Sequence, residues 1–292
     1  MTRHRLIRRV IVVVLDGLRP DAIDTFDLAT LRGLASRHAH TRSATTVAPS
    51  VTAAAMGSLL TGVSPERHGL TSDRFHIPRS RGPIAPLPRL LGEAGYLTTA
   101  CMASVPLLYR RIARGLARRL GVARPSFDGT GAHEILHAAR PWLTAQRSGL
   151  LLFHWPDADR AGHAAGWMQP EYGRAARTMD DALGRLLDLT GVEHDPSTVL
   201  IALADHGGGG VNPRDHDSAH PLDRTIPIVV AGGAVAPGRL RDDASILDVP
   251  ATVLWTLGLS RPPVYEGRAL VEAFGLQAAA LTEPSVGTGA AA

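Results

Sequence analysis

Three short apolar runs dominate the pattern of this chain, and they restrict the folds it can adopt. They cover residues 10–15, 149–155 and 199–203. Apolar runs of this length, bounded by turn residues, are typical of strands that are buried on both faces of a parallel sheet. Segments with helical spacing lie between them and can cover such a sheet. The sequence therefore predicts an α/β fold with a mostly parallel central sheet and helices on both faces.

The remaining elements follow from the same patterns. Helices are expected at residues 20–37, 53–60, 86–94, 171–189, 245–257 and 269–274, and further strands at 97–103 and 226–230. No low-complexity linker divides residues 1–276, so we expect a single domain. Residues 104–147 are expected to be helical with loops and to form a small helical cap. Residues 277–292 have little to bury, and we expect a disordered tail.

Composition narrows the class of protein. Apolar residues make up 45% of the 292, which is enough for a sizeable core. Cys101 is the single cysteine, so a disulfide framework is excluded and a reducing, cytoplasmic location is expected. The apolar run after the basic residues 1–9 has six residues and ends at Asp16. It is too short for a signal peptide or a membrane span.

The charge pattern gives no sign of nucleic-acid binding. The chain has 31 basic and 27 acidic residues, a formal net charge of +4, and every basic residue other than histidine is arginine. We attribute the absence of lysine to coding bias rather than to recognition of a nucleic acid. Five arginines cluster on an expected helix at residues 106–120: Arg110, Arg111, Arg114, Arg118 and Arg119. We expect a solvated face, with a lid over an anionic substrate or a membrane-surface contact as alternatives.

Acidic and imidazole side chains follow the three apolar runs. They are Asp16, Asp159, His163, Asp205, His206 and His216. In an open α/β sheet, ligands bind in the crevice beyond the carboxyl ends of the strands. Carboxylate oxygens and imidazole nitrogens together are the donors that zinc or a similar divalent ion takes. We therefore expect a metal site at this end of the sheet.

Thr52 begins a segment of small residues with helical character. As an N-cap, its hydroxyl would lie beside the free N–H of Ala53, and such a helix start attracts anions such as a phosphoryl group. A metal ion bound to the hydroxyl would lower its pKa and make it a nucleophile. The alternative is an ordinary N-cap. Together with the six metal-ligand candidates, Thr52 is predicted to be the nucleophile.

Several motifs, in order along the chain, resemble one family. They are Val-Leu-Asp-Gly-Leu-Arg-Pro-Asp at 14–21, Pro-Ser-Val-Thr at 49–52, Leu-Thr-Gly at 60–62, Ser-Pro-Glu-Arg-His-Gly at 64–69, Asp159 with His163, Ala-Asp-His-Gly at 204–207, His216 before Thr-Ile-Pro at 225–227, and Tyr-Glu-Gly-Arg-Ala-Leu at 265–270. This set resembles the alkaline phosphatase superfamily, and within it the type I phosphodiesterase/nucleotide pyrophosphatase family. The resemblance implies an alkaline phosphatase-like fold and a metal-dependent phosphodiesterase or nucleotide pyrophosphatase.

The resemblance also implies the roles of individual residues. One divalent ion would be held by Asp16, Thr52, Asp205 and His206, and a second by Asp159, His163 and His216. Zinc is expected in both positions, with manganese or iron as alternatives. The expected substrate is a small phosphate ester or nucleotide-like compound, and the expected route is a phospho-threonine intermediate at Thr52.

Some assignments have alternatives within the sequence. Asp157 competes with Asp159, and His220 competes with His216, although the family spacing favours Asp159 and His216. His68 and His154 are expected to be structural.

The chain also departs from the family at one position. Ala55 stands where nucleotide pyrophosphatases have an asparagine that holds a phosphoryl oxygen, so another group, such as an arginine, would have to supply that contact. Two rival functions are hydrolysis of a phosphonate or phosphomonoester on the same site, and a metal-stabilised binding protein without catalysis.

Overall fold

The computed structural model describes residues 7–73 and 79–275. Eight strands form: β1 Arg9–Leu15, β2 Ala39–Thr45, β3 Thr98–Met102, β4 Arg124–Phe127, β5 Gly149–Trp155, β6 Thr198–Leu203, β7 Thr225–Ala231 and β8 Gly238–Arg239. Eleven α-helices form: α1 Ala22–Thr25, α2 Ala29–Arg37, α3 Thr52–Thr61, α4 Pro65–His68, α5 Leu87–Glu93, α6 Leu107–Arg119, α7 Ala132–Ala145, α8 Asp157–Ala165, α9 Pro170–Thr190, α10 Pro221–Arg224 and α11 Asp248–Thr256. A 3₁₀ turn covers Val271–Phe274.

The strands form one sheet in the order β4-β3-β5-β1-β6-β7-β2-β8. Strand β1 pairs in parallel with β5 on one side and with β6 on the other, and all seven of its residues are buried. Only β7 runs against its neighbours β6 and β2. The predicted mostly parallel α/β sheet is therefore confirmed, with one antiparallel strand that the sequence pattern did not predict.

The helices form two groups that cover the sheet. Helices α2, α7 and α8 all pack against the long helix α9, whereas α3, α5 and α11 pack against one another. The buried stripe of α9 includes Tyr172, Met179 and Leu186. An amphipathic helix of this length is stabilised mainly by burial of such a stripe against neighbouring elements.

Several expected boundaries are wrong, for identifiable reasons. The single helix expected at 20–37 is two helices, because Asp27 adopts a left-handed φ of 53° between them. Strand β2 was not predicted because its sequence is largely polar. Within 104–147, β4 is an edge strand of the sheet, and α7 packs against β3 and β5. These two elements belong to the main body of the domain, and α6 is the element of this segment that has no buried residue. The tail expected at 277–292 lies outside the described residues.

Candidate metal centre

The candidate site lies where three adjacent parallel strands end. Asp16 follows β1, the Asp205–His206 pair follows β6, and α8 begins two residues after β5. Because β5, β1 and β6 are neighbours with parallel direction, their carboxyl ends meet at one edge of the sheet. The polar side chains that follow these strands are consequently brought into a common crevice, as the sequence pattern predicted.

One group of donor atoms surrounds the Thr52 hydroxyl. Thr52 Oγ1 lies 3.1 Å from His206 Nε2 and 3.5 Å from Asp16 Oδ1. His206 Nε2 lies 3.3 Å from Asp16 Oδ1 and 3.7 Å from Asp205 Oδ2. These four side chains are the set expected to hold the first ion.

A second group lies on and beside α8. His163 Nε2 is 3.4 Å from Asp159 Oδ1, and His216 Nε2 is 3.1 Å from His163 Nε2 and 3.6 Å from Asp159 Oδ1. The segment that carries Asp159 and His163 is helical, so the two side chains share one face at a spacing of four residues. The stacked rings of His206 and His216, 3.8 Å apart, join this group to the first.

These spacings fit a small four-coordinate ion. Donor atoms at about 2.0–2.1 Å from a tetrahedral zinc ion lie roughly 3.3 Å from one another. The separations of 3.1–3.7 Å within both groups are close to this value.

The three histidines are oriented through their second ring nitrogen. The Nδ1 atoms of His163, His206 and His216 lie 2.8, 2.8 and 2.7 Å from backbone carbonyl oxygens. An Nδ1–H that donates to a carbonyl leaves Nε2 unprotonated and able to bind a metal ion, and second-shell contacts of this kind are usual for ligating histidines. In each of the three, Nε2 is the atom that faces the donor groups.

Buried polar atoms in the crevice lack partners. Asp159 Oδ1, Asp205 Oδ2 and His154 Nε2 are buried without a hydrogen bond, whereas buried polar atoms in proteins are nearly always paired. Asp205 Oδ1, in contrast, accepts from the backbone N–H of Gly17 and of His206. The unpaired atoms all face the crevice, so a bound cation suits the residues present.

Electrostatics point in the same direction. Burial, together with repulsion from Asp205 and Asp159, raises the pKa of Asp16 to about 7. Burial opposes the charged form of His206, but Asp205 and Asp16 outweigh it and raise the pKa of this histidine well above 6.5. The pKa of His216 is lowered by burial and by His206. The crevice therefore holds crowded carboxylates, whose charge a divalent cation would neutralise.

His154 is a member of the crevice that sequence reasoning missed. It is buried on β5 opposite Val14, with Nε2 3.3 Å from Asp16 Oδ2 and 3.8 Å from Asp205 Oδ2. Asp16 follows Val14 by two residues, so it points to the same face of the sheet as His154. A histidine next to the end of an apolar strand was the available signal, and its contacts place it beside two candidate ligands, where only a structural role was expected.

The competing candidates have other roles. Asp157 accepts a hydrogen bond from the Ala132 N–H at the start of α7. His220 Nδ1 accepts from the Leu222 N–H at the start of α10. The His68 ring forms a hydrogen bond with Ser58 and packs against Gly57, where a Cβ would clash with it. His68 therefore holds α4 against α3.

The nucleophile candidate differs from the expectation in local geometry. Val51 is the N-cap of α3, and Thr52 is the first helical residue. The N–H of Ala53 is not free, because it donates to Asp73 Oδ1 at 2.7 Å. Ala55 is fully buried, and Arg160, a candidate for the missing contact, donates to the Thr130 carbonyl. Arg160 is thus engaged outside the position of the missing asparagine.

Trp167 links the loops that carry the donors. Its indole N–H donates to the Gly17 carbonyl at 2.9 Å, and its ring lies where a Cβ on Gly162 or Gly208 would clash, at 2.6 and 2.1 Å. The ring also contacts His163 and His216 at 5.2 and 5.7 Å between centroids. Glycine at these positions is therefore required for the close packing that supports the site.

A family model identifies the class of protein to which the chain belongs. The model of the type I phosphodiesterase/nucleotide pyrophosphatase family matches residues 10–84 and 106–251, which is most of the chain. The chain belongs to that family, and the expected membership is confirmed.

Curated relatives match parts of longer proteins. A 2,3-bisphosphoglycerate-independent phosphoglycerate mutase of Listeria welshimeri is 26% identical over 143 residues, covering 48% of this chain and 26% of the mutase. An uncharacterized pyrophosphatase/phosphodiesterase of Schizosaccharomyces pombe is 27% identical over 214 residues, covering 68% of this chain and 44% of its own length. The chain thus spans less than half the length of either relative.

Solved structures confirm the alkaline phosphatase-like fold. Murine ectonucleotide pyrophosphatase/phosphodiesterase 5, an inactive form in complex with AMP, is 14% identical with a TM-score of 0.68, covering 88% of this chain and 96% of that one. A phosphonate monoester hydrolase of Silicibacter pomeroyi is 18% identical with a TM-score of 0.68, covering 92% of this chain and 77% of that one.

Within residues 7–73 and 79–275, every helix is too short or too polar to cross a membrane.

Proposed function

We propose that this protein hydrolyses phosphodiester or pyrophosphate bonds in small phosphate esters or nucleotide-like substrates, with Thr52 as the nucleophile. The observation that carries the proposal is the position of Thr52 Oγ1, within 3.5 Å of both His206 Nε2 and Asp16 Oδ1. A hydroxyl among metal-ligand candidates at the start of a ten-residue helix is suited to attack phosphorus.

A cytoplasmic location stays a prediction, which cell fractionation would test.

This proposal includes two divalent ions, and zinc is the ion that we expect. Asp16, Thr52, Asp205 and His206 would hold one, and the other would be held by Asp159, His163 and His216. Bound there, the ions would lower the pKa of the hydroxyl and neutralise charge on the phosphoryl and leaving oxygens. The backbone carbonyls behind the three histidines keep Nε2 directed at the crevice.

The reaction would proceed in two displacements. Thr52 Oγ1 bonds to phosphorus while the bond from phosphorus to the leaving oxygen breaks, and the proton of Thr52 leaves with the alcohol product. Water then attacks the phospho-threonine, which releases the phosphoryl group and restores the hydroxyl. The Ala53 N–H would bind a phosphoryl oxygen once this oxygen replaces the carboxylate of Asp73.

The positions of the arginines favour a diester over a monoester. A monoester carries one more negative charge, and Arg160, the candidate for a clamp, is bonded to Thr130 instead. Hydrolysis of a phosphonate or phosphomonoester on the same residues is the alternative.

The test is a panel of nitrophenyl esters on metal-reconstituted protein: a phosphodiester, a phosphomonoester and a phosphonate, each assayed with wild type, Thr52→Ala and Thr52→Ser. We expect wild type to hydrolyse the diester. Thr52→Ala should abolish this turnover, and Thr52→Ser should retain part of it. Because Val51 is the N-cap of α3, Thr52→Ala removes no capping hydrogen bond, but it removes the contacts with His206 and Asp16, so the free energy of unfolding should fall by about 1 kcal/mol. Near wild-type kcat in Thr52→Ala would refute the covalent route, and metal binding without any turnover would favour the binding-protein alternative.

A further inference from the structure

Helix α6 turns its apolar face away from the protein. No residue of Leu107–Arg119 is buried, and Leu108, Ile112 and Leu116 are 81%, 61% and 56% exposed. Tyr109 extends the same stripe, and Leu107 is exposed at the start of the helix, outside the stripe. A surface helix ordinarily directs such a stripe at the core. Contiguous exposed apolar side chains, unlike single scattered ones, mark an interaction surface.

The helix is attached to the body of the protein through its opposite face. Arg110 donates to the Phe127 carbonyl at 3.2 Å and lies 3.9 Å from Asp128, while Ala117 packs against the core. At 100° per residue, these two positions point away from the row of Leu108, Ile112 and Leu116. The apolar stripe is thus held outwards by fixed contacts on its other side.

The charge of α6 indicates what covers the stripe. The helix contains five arginines and no acidic residue, and Arg111, Arg118 and Arg119 are exposed beside the stripe. Two copies of this chain meeting through α6 would bring these like charges together. An anionic lipid surface, in contrast, offers phosphate groups to the arginines and acyl chains to the leucines. At about 1.5 Å per residue the helix is roughly 20 Å long, which suits a position in the plane of the surface.

We propose that α6 is an interfacial helix that docks the protein on the surface of a bilayer containing anionic phospholipid. The four apolar side chains of the stripe enter the boundary between headgroups and acyl chains, and the flanking arginines bind phosphate. This docking is independent of the chemistry at Thr52.

The experiment is co-sedimentation of the full chain with vesicles of phosphatidylcholine alone and with vesicles that also contain phosphatidylglycerol, at low and high salt. The test variant is Leu108→Glu/Ile112→Glu. The control is Leu189→Glu/Val211→Glu, which adds the same two charges at exposed apolar positions outside α6. We expect salt-sensitive binding to the anionic vesicles that falls at least about tenfold in the test variant and is retained by the control.

Because all four substituted side chains are exposed, both variants should show wild-type circular dichroism and Tm. The proposal is overturned if wild type fails to bind anionic vesicles, or if the test variant binds as wild type does. It is also overturned if wild type is a dimer in solution that the test variant alone dissociates, since a second copy would then cover the stripe.

Discussion

Zinc binding at the Asp16 site is expected to depend steeply on pH. In the ion-free protein the pKa of Asp16 is about 7, and the pKa of His206 is well above 6.5. A ligand must lose its proton before it binds the ion. Below about pH 7 the proton of Asp16 must leave, and the raised pKa of His206 adds competition from a proton in the same direction.

The expected magnitude follows from the number of protons. Protonation of Asp16 alone should lower the affinity for this ion about tenfold between pH 8 and pH 6, and the raised pKa of His206 should add to that loss. At about 1.36 kcal/mol for each factor of ten, the part due to Asp16 is about 1.4 kcal/mol. Isothermal titration of zinc into chelator-treated protein at each pH measures it directly.

The stability of the ion-free protein should change in the opposite direction. Asp16 has a folded-state pKa above its ordinary value of 3.8, so its contribution to stability is complete below 3.8 and is lost as pH rises through about 7. His206 contributes with the same sign, because its pKa is also raised, and its contribution is lost at higher pH. From these two groups, raising the pH from 6 to 8 should lower the Tm of ion-free protein while it increases the rise in Tm that zinc produces.

Asp16→Asn supplies the matched control. Asparagine takes up no proton, so the variant should bind zinc more weakly at pH 8 and should keep only the part of the pH dependence that is due to His206. A zinc affinity that is equal at pH 6 and pH 8 in wild type would refute the reasoning, because the protons assigned to Asp16 and His206 would then not compete with the ion.

Three further predictions concern neighbouring residues. Asp73→Ala frees the Ala53 N–H for a phosphoryl oxygen, so KM for the diester should fall about threefold to tenfold, and an unchanged KM would argue against this contact. His154→Gln should weaken zinc binding about 10- to 100-fold in a chelator competition, whereas His68→Gln, buried outside the crevice, should not. Wild type should show a higher kcat/KM for a nitrophenyl phosphodiester than for nitrophenyl phosphate, and a tenfold preference for the monoester would favour the phosphatase alternative.

The gathering of the donors could be predicted because it depends on short-range patterns. The apolar runs before Asp16 and Asp205 mark in the sequence where two strands end. Because parallel strands have their carboxyl ends at one edge of the sheet, the two carboxylates are predicted to lie close together. The pair Asp159 and His163 needed only the four-residue spacing of a helix.

What could not be predicted depends on pairings between distant segments. His154 looks like any polar residue at a strand end until β5 is placed beside β1, opposite Val14. Strand β2 is polar and joins the sheet only through β7 and β8. The hydrogen bond between the Ala53 N–H and the Asp73 carboxylate joins residues 20 positions apart. The segment between them has no periodic pattern that would predict this contact.

The placement of β1 between β5 and β6 has a consequence for how the protein is made. Asp16 leaves the ribosome 200 residues before His216, and at about 5–20 residues per second this interval lasts roughly 10–40 s. Until β5 at 149–155 and β6 at 198–203 have been made, β1 lacks its partners in the sheet, and the nascent chain carries a strongly apolar segment that another chain could pair with. The full set of candidate ligands is therefore complete only late in synthesis, and protection of the unpaired first strand, by a chaperone or by the ribosome itself, becomes a condition for the yield of folded protein.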